Sequence, residues 1–438
     1  MANVVGVVIF VIGILVSIGL HEIGHMIPAK KFGVRVSQYM IGFGPTIWSK
    51  VKGETEYGFK WILLGGYVRL VGTYPTDEAV GASEPTTWWG RMAADARAAS
   101  AEEIAPGEDH RAVYRLSTPK KLAVMLGGPM MNLLVAMVLV GVVIVGIGHS
   151  AGTTTVSKVA ACVPTGAQDA KDEKDTCAGA DEQVSPAVAA GVQPGDKIVS
   201  WDGKNISSWG ELYDTIGASA GRKVEIVVER DGQKVTLGPV AVAQVGRDAG
   251  GNVVPVGSSA AVRTAGFMGI TPTSQVVREP VSKVPGVVAS TTWQVVGVVV
   301  QLPQKVWDVG ASTVRGEKRD PESVMSVVGI SRVAGEVTAL EEEGTSKVAT
   351  LLFLLAMLNI SLFVFNLIPL PPLDGGHIAA ALWEGGRRQL SRWRRRDVST
   401  VPADTARLVP IGFAVFIALA VMGGVLIIAD FVNPIRPF

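Results

Sequence analysis

Charge is scarce in this chain, and so are cysteine and histidine. Only 18% of its 438 side chains are acidic or basic, and they nearly cancel to a formal net charge of +1. A typical soluble chain carries about 25%. A near-neutral chain offers no bulk attraction for nucleic acid, so none is expected among its partners. The two cysteines, Cys162 and Cys177, form no CxxC pair, which argues against a cysteine zinc site. The histidines number five, few enough to be read one by one. Apolar residues fill the space and make up 48% of the chain. The length leaves room for two or three domains.

Residues 1–20, 122–148, 348–373 and 408–429 hold no charged side chain. About 20 apolar residues suffice to cross a bilayer as a helix. The pattern predicts a polytopic α-helical membrane protein with four transmembrane helices. A cleaved signal peptide would explain the first run only if it had a basic start and a small-residue cleavage site, and it has neither.

That first run ends in His21, Glu22 and His25, as HEIGH. Positions i and i+4 share a helix face, so both imidazoles point the same way. Two imidazoles so placed suit Zn²⁺, and the glutamate between them suits the activation of water. Ionisable groups are expensive at membrane depth and mark function by default.

The remaining organisation follows in chain order. Residues 1–36 are the first span with its basic exit. Residues 37–72 are aromatic and β-branched with glycine punctuation, and read as strands joined by a turn at KGET. Lipid cannot satisfy an open strand edge. This β region is therefore either membrane-associated and sheltered, with an edge near Gly65, Gly66, Tyr67 and Val68 that can take an extended peptide, or an ordinary soluble hairpin. Residues 73–118 are polar and suggest no function. The second span, 119–149, carries GGPMMN from Gly127 to Asn132, where helix packing is the simplest role and Asn132 needs a polar partner in lipid. Residues 150–273 hold helix, turn, strand and hairpin signals, among them PGD and RDGQ. Residues 274–346 read as interfacial linker helices, interrupted at Gln301 and Pro303. The third span, 347–380, ends in NLIPLPPLDGG, whose prolines break the helix and leave room for a carboxylate at Asp374. Residues 381–407 form a short loop with six arginines between 387 and 396, and 408–438 hold the fourth span. Arg-rich short loops stay in the cytoplasm. That rule puts the loops after spans one and three inside, and both termini and residues 150–346 outside. His21, His25 and Asp374 then share one depth near the cytoplasmic face. Cysteines held outside are expected to be bonded, with free thiols as the alternative. His377, one helical turn beyond Asp374, competes as a ligand. His110 and His149 read as solvent-facing or interfacial.

HEIGH at a span end, Gly128-Pro129 with Asn132, Asn366 with Pro369, and Leu373-Asp374-Gly375 resemble the motifs of the site-2 protease family of intramembrane zinc metalloproteases. The SPA, AG, PGD and DG segments between residues 185 and 203 resemble a PDZ domain of the bacterial protease type. One such domain between spans two and three resembles the bacterial branch that cleaves anti-sigma factors. The resemblance implies one zinc ion per chain held by His21, His25 and Asp374, with Glu22 as the catalytic base. It implies a multi-pass protein of the cell membrane with an extracytoplasmic α/β PDZ-like domain. The implied partners are membrane lipid, single-pass substrates such as anti-sigma factors, and an upstream site-1 protease. Asn132 and Asn366 are candidate donors to the substrate backbone or oxyanion. A silent membrane scaffold is disfavoured by the intact HEIGH. A zinc transporter is disfavoured by the uncharged interiors of spans two to four.

Overall fold

The computed structural model describes residues 2–164, 177, 183–247, 253–254, 256–257, 263–317, 319, 323–339, 344–393 and 402–435. The acidic insert between the cysteines and Arg394–Arg396 of the basic loop lie outside them. Two compact units emerge, Met1–Ile147 with Glu279–Phe438, and Gly148–Arg278.

The first unit opens with α1 (Ala2–Lys31), uncharged until its last turns and finished by two lysines. The strands β1 (Val36–Lys52) and β2 (Thr55–Leu70) follow, turning at Gly53. Each strand is long enough to fold on itself. Met40 pairs with both Tyr67 and Gly58, and Gly58 pairs with Ser49 as well. Two strands thus make four segments side by side, joined by three ladders, with residues 66–70 on an outer edge. The bends fall at Gly42, Gly44 and Gly65, whose φ values of 97°, 84° and 139° are closed to most side chains. Phe43, Ile47, Trp48, Trp61 and Ile62 stand exposed on this sheet, an apolar patch of the kind that contacts membranes or partners. The short α2 (Asp77–Val80) and α3 (Trp88–Glu102) come next, each capped by a threonine. The buried Arg97 of α3 binds Asp77 and reaches Asp404. Residues 73–118 therefore brace the chain just ahead of the last apolar helix. The helix α4 (Thr118–Gly141) continues as a π-helical stretch to Ile147.

The second unit contains β3 (His149–Val159), α5 (Pro186–Ala190), β4 (Lys197–Trp201), β5 (Lys204–Asn205), α6 (Trp209–Ala218), β6 (Lys223–Arg230), β7 (Gln233–Ala241), β8 (Ala243–Arg247), β9 (Val253–Val254), β10 (Arg263–Phe267) and β11 (Ile270–Val277). The main sheet runs β11-β3-β4-β6-β7, with β5 on β4, and a smaller one runs β10-β8-β9. All described strand pairs are antiparallel. The core gathers Ile198, Leu212, Ile226 and Met268 around the fully buried Trp201. The Trp201 indole N–H donates to Ser219 Oγ at 3.2 Å, so the largest buried side chain leaves no polar atom unpaid. Cys162 and Cys177 are joined in a disulfide.

The first unit resumes with α7 (Val284–Val300), α8 (Leu302–Arg315), α9 (Val327–Ala339), α10 (Gly344–Asn366), α11 (Asp374–Trp393) and α12 (Val409–Val432). Five described helices are long and apolar enough to cross a membrane, one of them within Val281–Val300. The sequence suggests an interruption there at Gln301 and Pro303, but Pro303 opens α8 instead of breaking α7. The face of α7 carrying Val284, Val288 and Val295 packs with Ala136 and Val140 of α4 and Ala356 and Ile360 of α10.

Candidate metal centre

Three segments build the centre, and glycine sets how closely they approach. On α1, His21 and His25 lie one turn apart and face α4. A Cβ on Gly24 would sit 2.3 Å from the Gly127 carbonyl oxygen, and one on Gly127 would sit 2.0 Å from that of Gly24. The two backbones touch, as small residues permit in membranes. Beside that crossing, a Cβ on Gly128 would lie 2.2 Å from His25 Nε2 and 2.7 Å from His21 Cε1. The GGP stretch is the floor under both imidazoles.

The third segment is the proline-rich turn after α10, which folds back so that Asp374 opens α11. Gly375 and Gly376 allow this, since a Cβ on either would come within 2.5 Å of the turn's own backbone. Asp374 Oδ2 lies 3.4 Å from His21 Nε2 and 3.3 Å from His25 Nε2, and the two nitrogens are 3.3 Å apart. His25 Nδ1 lies 2.8 Å from the Val124 carbonyl. A carbonyl only accepts, so Nδ1 carries the proton and Nε2 presents a lone pair.

The donor set fits a zinc ion. Zinc holds imidazole nitrogen and carboxylate oxygen at about 2.0–2.1 Å, which puts tetrahedral corners roughly 3.3 Å apart. The three observed separations match that edge. Asp374 Oδ2 is buried and accepts no well-formed hydrogen bond. Acceptor atoms converging on one point are costly unless a cation sits between them. Among the described residues, His21, His25 and Asp374 are the group of side chains placed so that they could hold a metal ion.

The other candidates fall around this triangle. Glu22 is buried on α1 and accepts a hydrogen bond from the Val68 amide. A Cβ on Gly66 would meet Glu22 Cγ at 3.3 Å, so the outer edge of β2 runs beside the carboxylate. Gly65 turns the strand at that point. Tyr67 points back into the sheet, donating to Gln38 at 3.1 Å and stacking on Phe43. Asn132 is fully buried, its amide nitrogen 3.0 Å from His21 Nδ1. Asn366 ends α10, and its side chain makes no hydrogen bond among the described residues. His377 lies on α11 outside the triangle, as do His110 and His149.

Two buried ion pairs tie the frame and carry no sequence motif. Lys121 at the start of α4 donates to Glu384 of α11 at 2.8 Å, with Arg388 at 2.7 Å on the other oxygen. Asp430 near the end of α12 accepts from Arg319 at 2.6 Å and from the backbone of Ser326 and Gly329 at the start of α9. Lys121 and Asp430 bound the uncharged runs of α4 and α12, and that position was the available signal for both.

Residues 9–402 match Peptidase family M50. The chain belongs to that family, the site-2 proteases. It is 34% identical to zinc metalloprotease Rip1 of Mycobacterium tuberculosis (strain H37Rv) over the whole of both chains. Rip1 of Mycolicibacterium smegmatis is 32% identical over 99% of each. Metalloprotease MmpA of Caulobacter vibrioides is 27% identical over 86% of this chain and 85% of its own. The protein is accordingly a zinc metalloprotease, and with five long apolar helices it is a multi-pass membrane protein.

Proposed function

We propose that this protease cleaves single-pass membrane proteins, anti-sigma factors among them, within or beside their membrane span. It makes the second cut, after an upstream site-1 protease has shortened the substrate. The observation that carries this reading is the placement of the triangle. It stands at the end of an apolar helix, beside a carboxylate and a free strand edge. His21, His25 and Asp374 hold the ion. Zinc, when bound, supplies Lewis acidity to the scissile carbonyl and to water. Glu22 takes the proton of the attacking water and returns it to the leaving amide nitrogen. The β2 edge at Gly65–Val68 holds the substrate extended by strand addition, since a helical substrate offers no free carbonyl to attack.

The second unit acts as an extracytoplasmic PDZ-like domain. Its disulfide supports an oxidising compartment. The outer strand β10 and α6 flank a groove lined by Trp209, Tyr213, Ile216, Thr264 and Met268, which suits an extended peptide. Four helices, α1, α4, α10 and α12, cross the membrane fully. The centre lies at the cytoplasmic end of α1, by the basic flanks of the loops there.

A Glu22→Gln form is the test. It loses the base and keeps the ligands, so it should retain zinc and stop cleaving a reporter span. It should also hold substrates that can be identified after crosslinking. A trapped single-pass protein already trimmed outside the membrane supports the second cut. Trapped full-length substrate, or unchanged cleavage by Glu22→Gln, overturns the respective part.

A further inference from the structure

The structure assigns Asn132 to His21: we propose that its side-chain oxygen, not its nitrogen, accepts from His21 Nδ1–H and so fixes that imidazole as a ligand through Nε2. This rests on the zinc reading above and deepens it.

Three observations carry the assignment. First, the His25 ring is already committed, because the Val124 carbonyl at 2.8 Å can only accept from Nδ1. Its Nε2 therefore aims a lone pair into the triangle. Second, His21 Nε2 occupies the equivalent corner, 3.3 Å from His25 Nε2 and 3.4 Å from Asp374 Oδ2. To bind the same ion it too must carry its proton on Nδ1, and that proton needs an acceptor. Third, the group beside His21 Nδ1 is the Asn132 amide at 3.0 Å. Its nitrogen faces the ring, and its Oδ1 is buried and unpartnered among the described residues. An amide nitrogen cannot accept, and amide oxygen and nitrogen are interchangeable by a half-turn of the group. Turning it gives Nδ1–H its acceptor. The half-turn moves the unpaired position from an oxygen to an N–H. What decides between the orientations is therefore the protonation the ligand must have, not the number of unpaired atoms.

The arrangement makes Asn132 a positioning residue. It lies on α4 one turn after Gly128, so a single helix supplies the floor under both rings and both of their outer partners, Val124 for His25 and Asn132 for His21. The direct alternative, in which Asn132 serves only to donate to the substrate oxyanion, leaves zinc affinity untouched by substitution.

The experiment compares wild type, Asn132→Leu and Asn132→Asp as full-length protein in detergent. Zinc affinity is measured by chelator competition, together with the melting temperature of the zinc-free forms and the visible spectrum of the cobalt-substituted forms. Leucine keeps the volume and removes the acceptor. Asn132→Leu should bind zinc about 10–100-fold more weakly, the usual cost of a lost outer partner, with an altered cobalt spectrum and an unchanged zinc-free melting temperature. Asn132→Asp keeps an acceptor and should stay within a few-fold of wild type. The proposal is overturned if Asn132→Leu holds zinc as tightly as wild type while losing cleavage, which is the oxyanion role. It is also overturned if both variants weaken zinc and melt early, which is a packing role. Failure of the underlying zinc reading looks different, because wild type itself would bind no stoichiometric zinc.

Discussion

Adding one methyl group at Gly128 should disable the centre while leaving the fold in place. The new Cβ would stand 2.2 Å from His25 Nε2 and 2.7 Å from His21 Cε1. Ordinary contact begins at 3.4 Å, so the gap to His25 must open by about 1.2 Å. Metal sites tolerate roughly 0.2 Å in ligand distance. The triangle has no slack to give, since its edges are 3.3, 3.3 and 3.4 Å, and His25 is pinned from behind by Val124. One imidazole must leave. A 1 Å displacement of catalytic geometry costs about 100-fold in rate, or roughly 2.7 kcal/mol of barrier, and loss of a ligand costs bound metal as well. Helix propensity works the other way, because Gly→Ala inside a helix is favourable by up to about 1 kcal/mol. The assay is zinc per chain and kcat/KM on a reporter span, for Gly128→Ala beside Gly423→Ala. Gly423 lies in α12 with open space around its would-be Cβ and should behave as wild type. If Gly128→Ala carries full zinc and cleaves within a few-fold of wild type, the triangle is not the catalytic centre.

Asp374→Ala should lose zinc and activity whereas His377→Ala should keep zinc, because only Asp374 reaches the triangle; metal analysis of the two purified variants decides it, and the reverse result would replace the third ligand. In the second unit, burial alone would raise the Asp196 carboxyl, but the Arg230 guanidinium at 2.7 Å and the Gln193 amide outweigh it and hold the pKa below the usual 3.8. A depressed carboxylate contributes stability that is present at neutral pH and lost as pH falls through its folded pKa. Acidification below about pH 4 should therefore raise amide exchange in β4 and β6 of the wild type. Asp196→Asn should remove that dependence and lower stability at neutral pH, because the Arg230 guanidinium loses its charged partner; an unchanged pH profile in the variant refutes the assignment.

Much of the frame is legible because lipid permits so little. A run without charge must be a helix, and the four runs read from sequence coincide with α1, α4, α10 and α12. HEIGH declares its geometry through the helical period, and the prolines before Asp374 declare a break. What stays hidden depends on who meets whom. Nothing in GGPMMN says that Gly128 lies under two imidazoles, or that Val124, an unremarked apolar residue, offers its carbonyl to His25. Nothing in the sequence around Lys121, Glu384, Arg319 and Asp430 names a partner, and their pairing spans 263 and 111 residues of sequence. The doubling of β1 and β2 into four paired segments is likewise invisible in an alternation pattern, which fixes the face of a residue and not its neighbour.

The fifth apolar helix raises the last question, whether α7 crosses the membrane. Contacts fix which end of the bundle each helix starts from. Glu279, ahead of α7, donates to the Ile144 carbonyl at 2.8 Å, so α7 starts at the end of α4 remote from His25. Gly13 of α1 meets Leu355, and Ser17 meets Asn359, so α10 runs parallel to α1 and starts from that same remote end. The chain between them must cross an even number of times. The helices α8 and α9 have 14 and 13 residues, about 20 Å each, too short for a hydrocarbon core of about 30 Å. Among the described residues no partner crossing is available, which predicts that α7 enters and turns back. The return path is α8, whose Gly310 packs on Val425 and which leads to Arg319 and its bond with Asp430 near the remote end of α12. Gln301 is then the tip of a re-entrant hairpin. A Gln301→Cys variant in intact membranes should resist a membrane-impermeant thiol reagent applied from the side of α3, where an Arg91→Cys control reacts. Labelling of position 301 from that side, at a rate comparable to position 91, would make α7 a full crossing and break the four-span assignment.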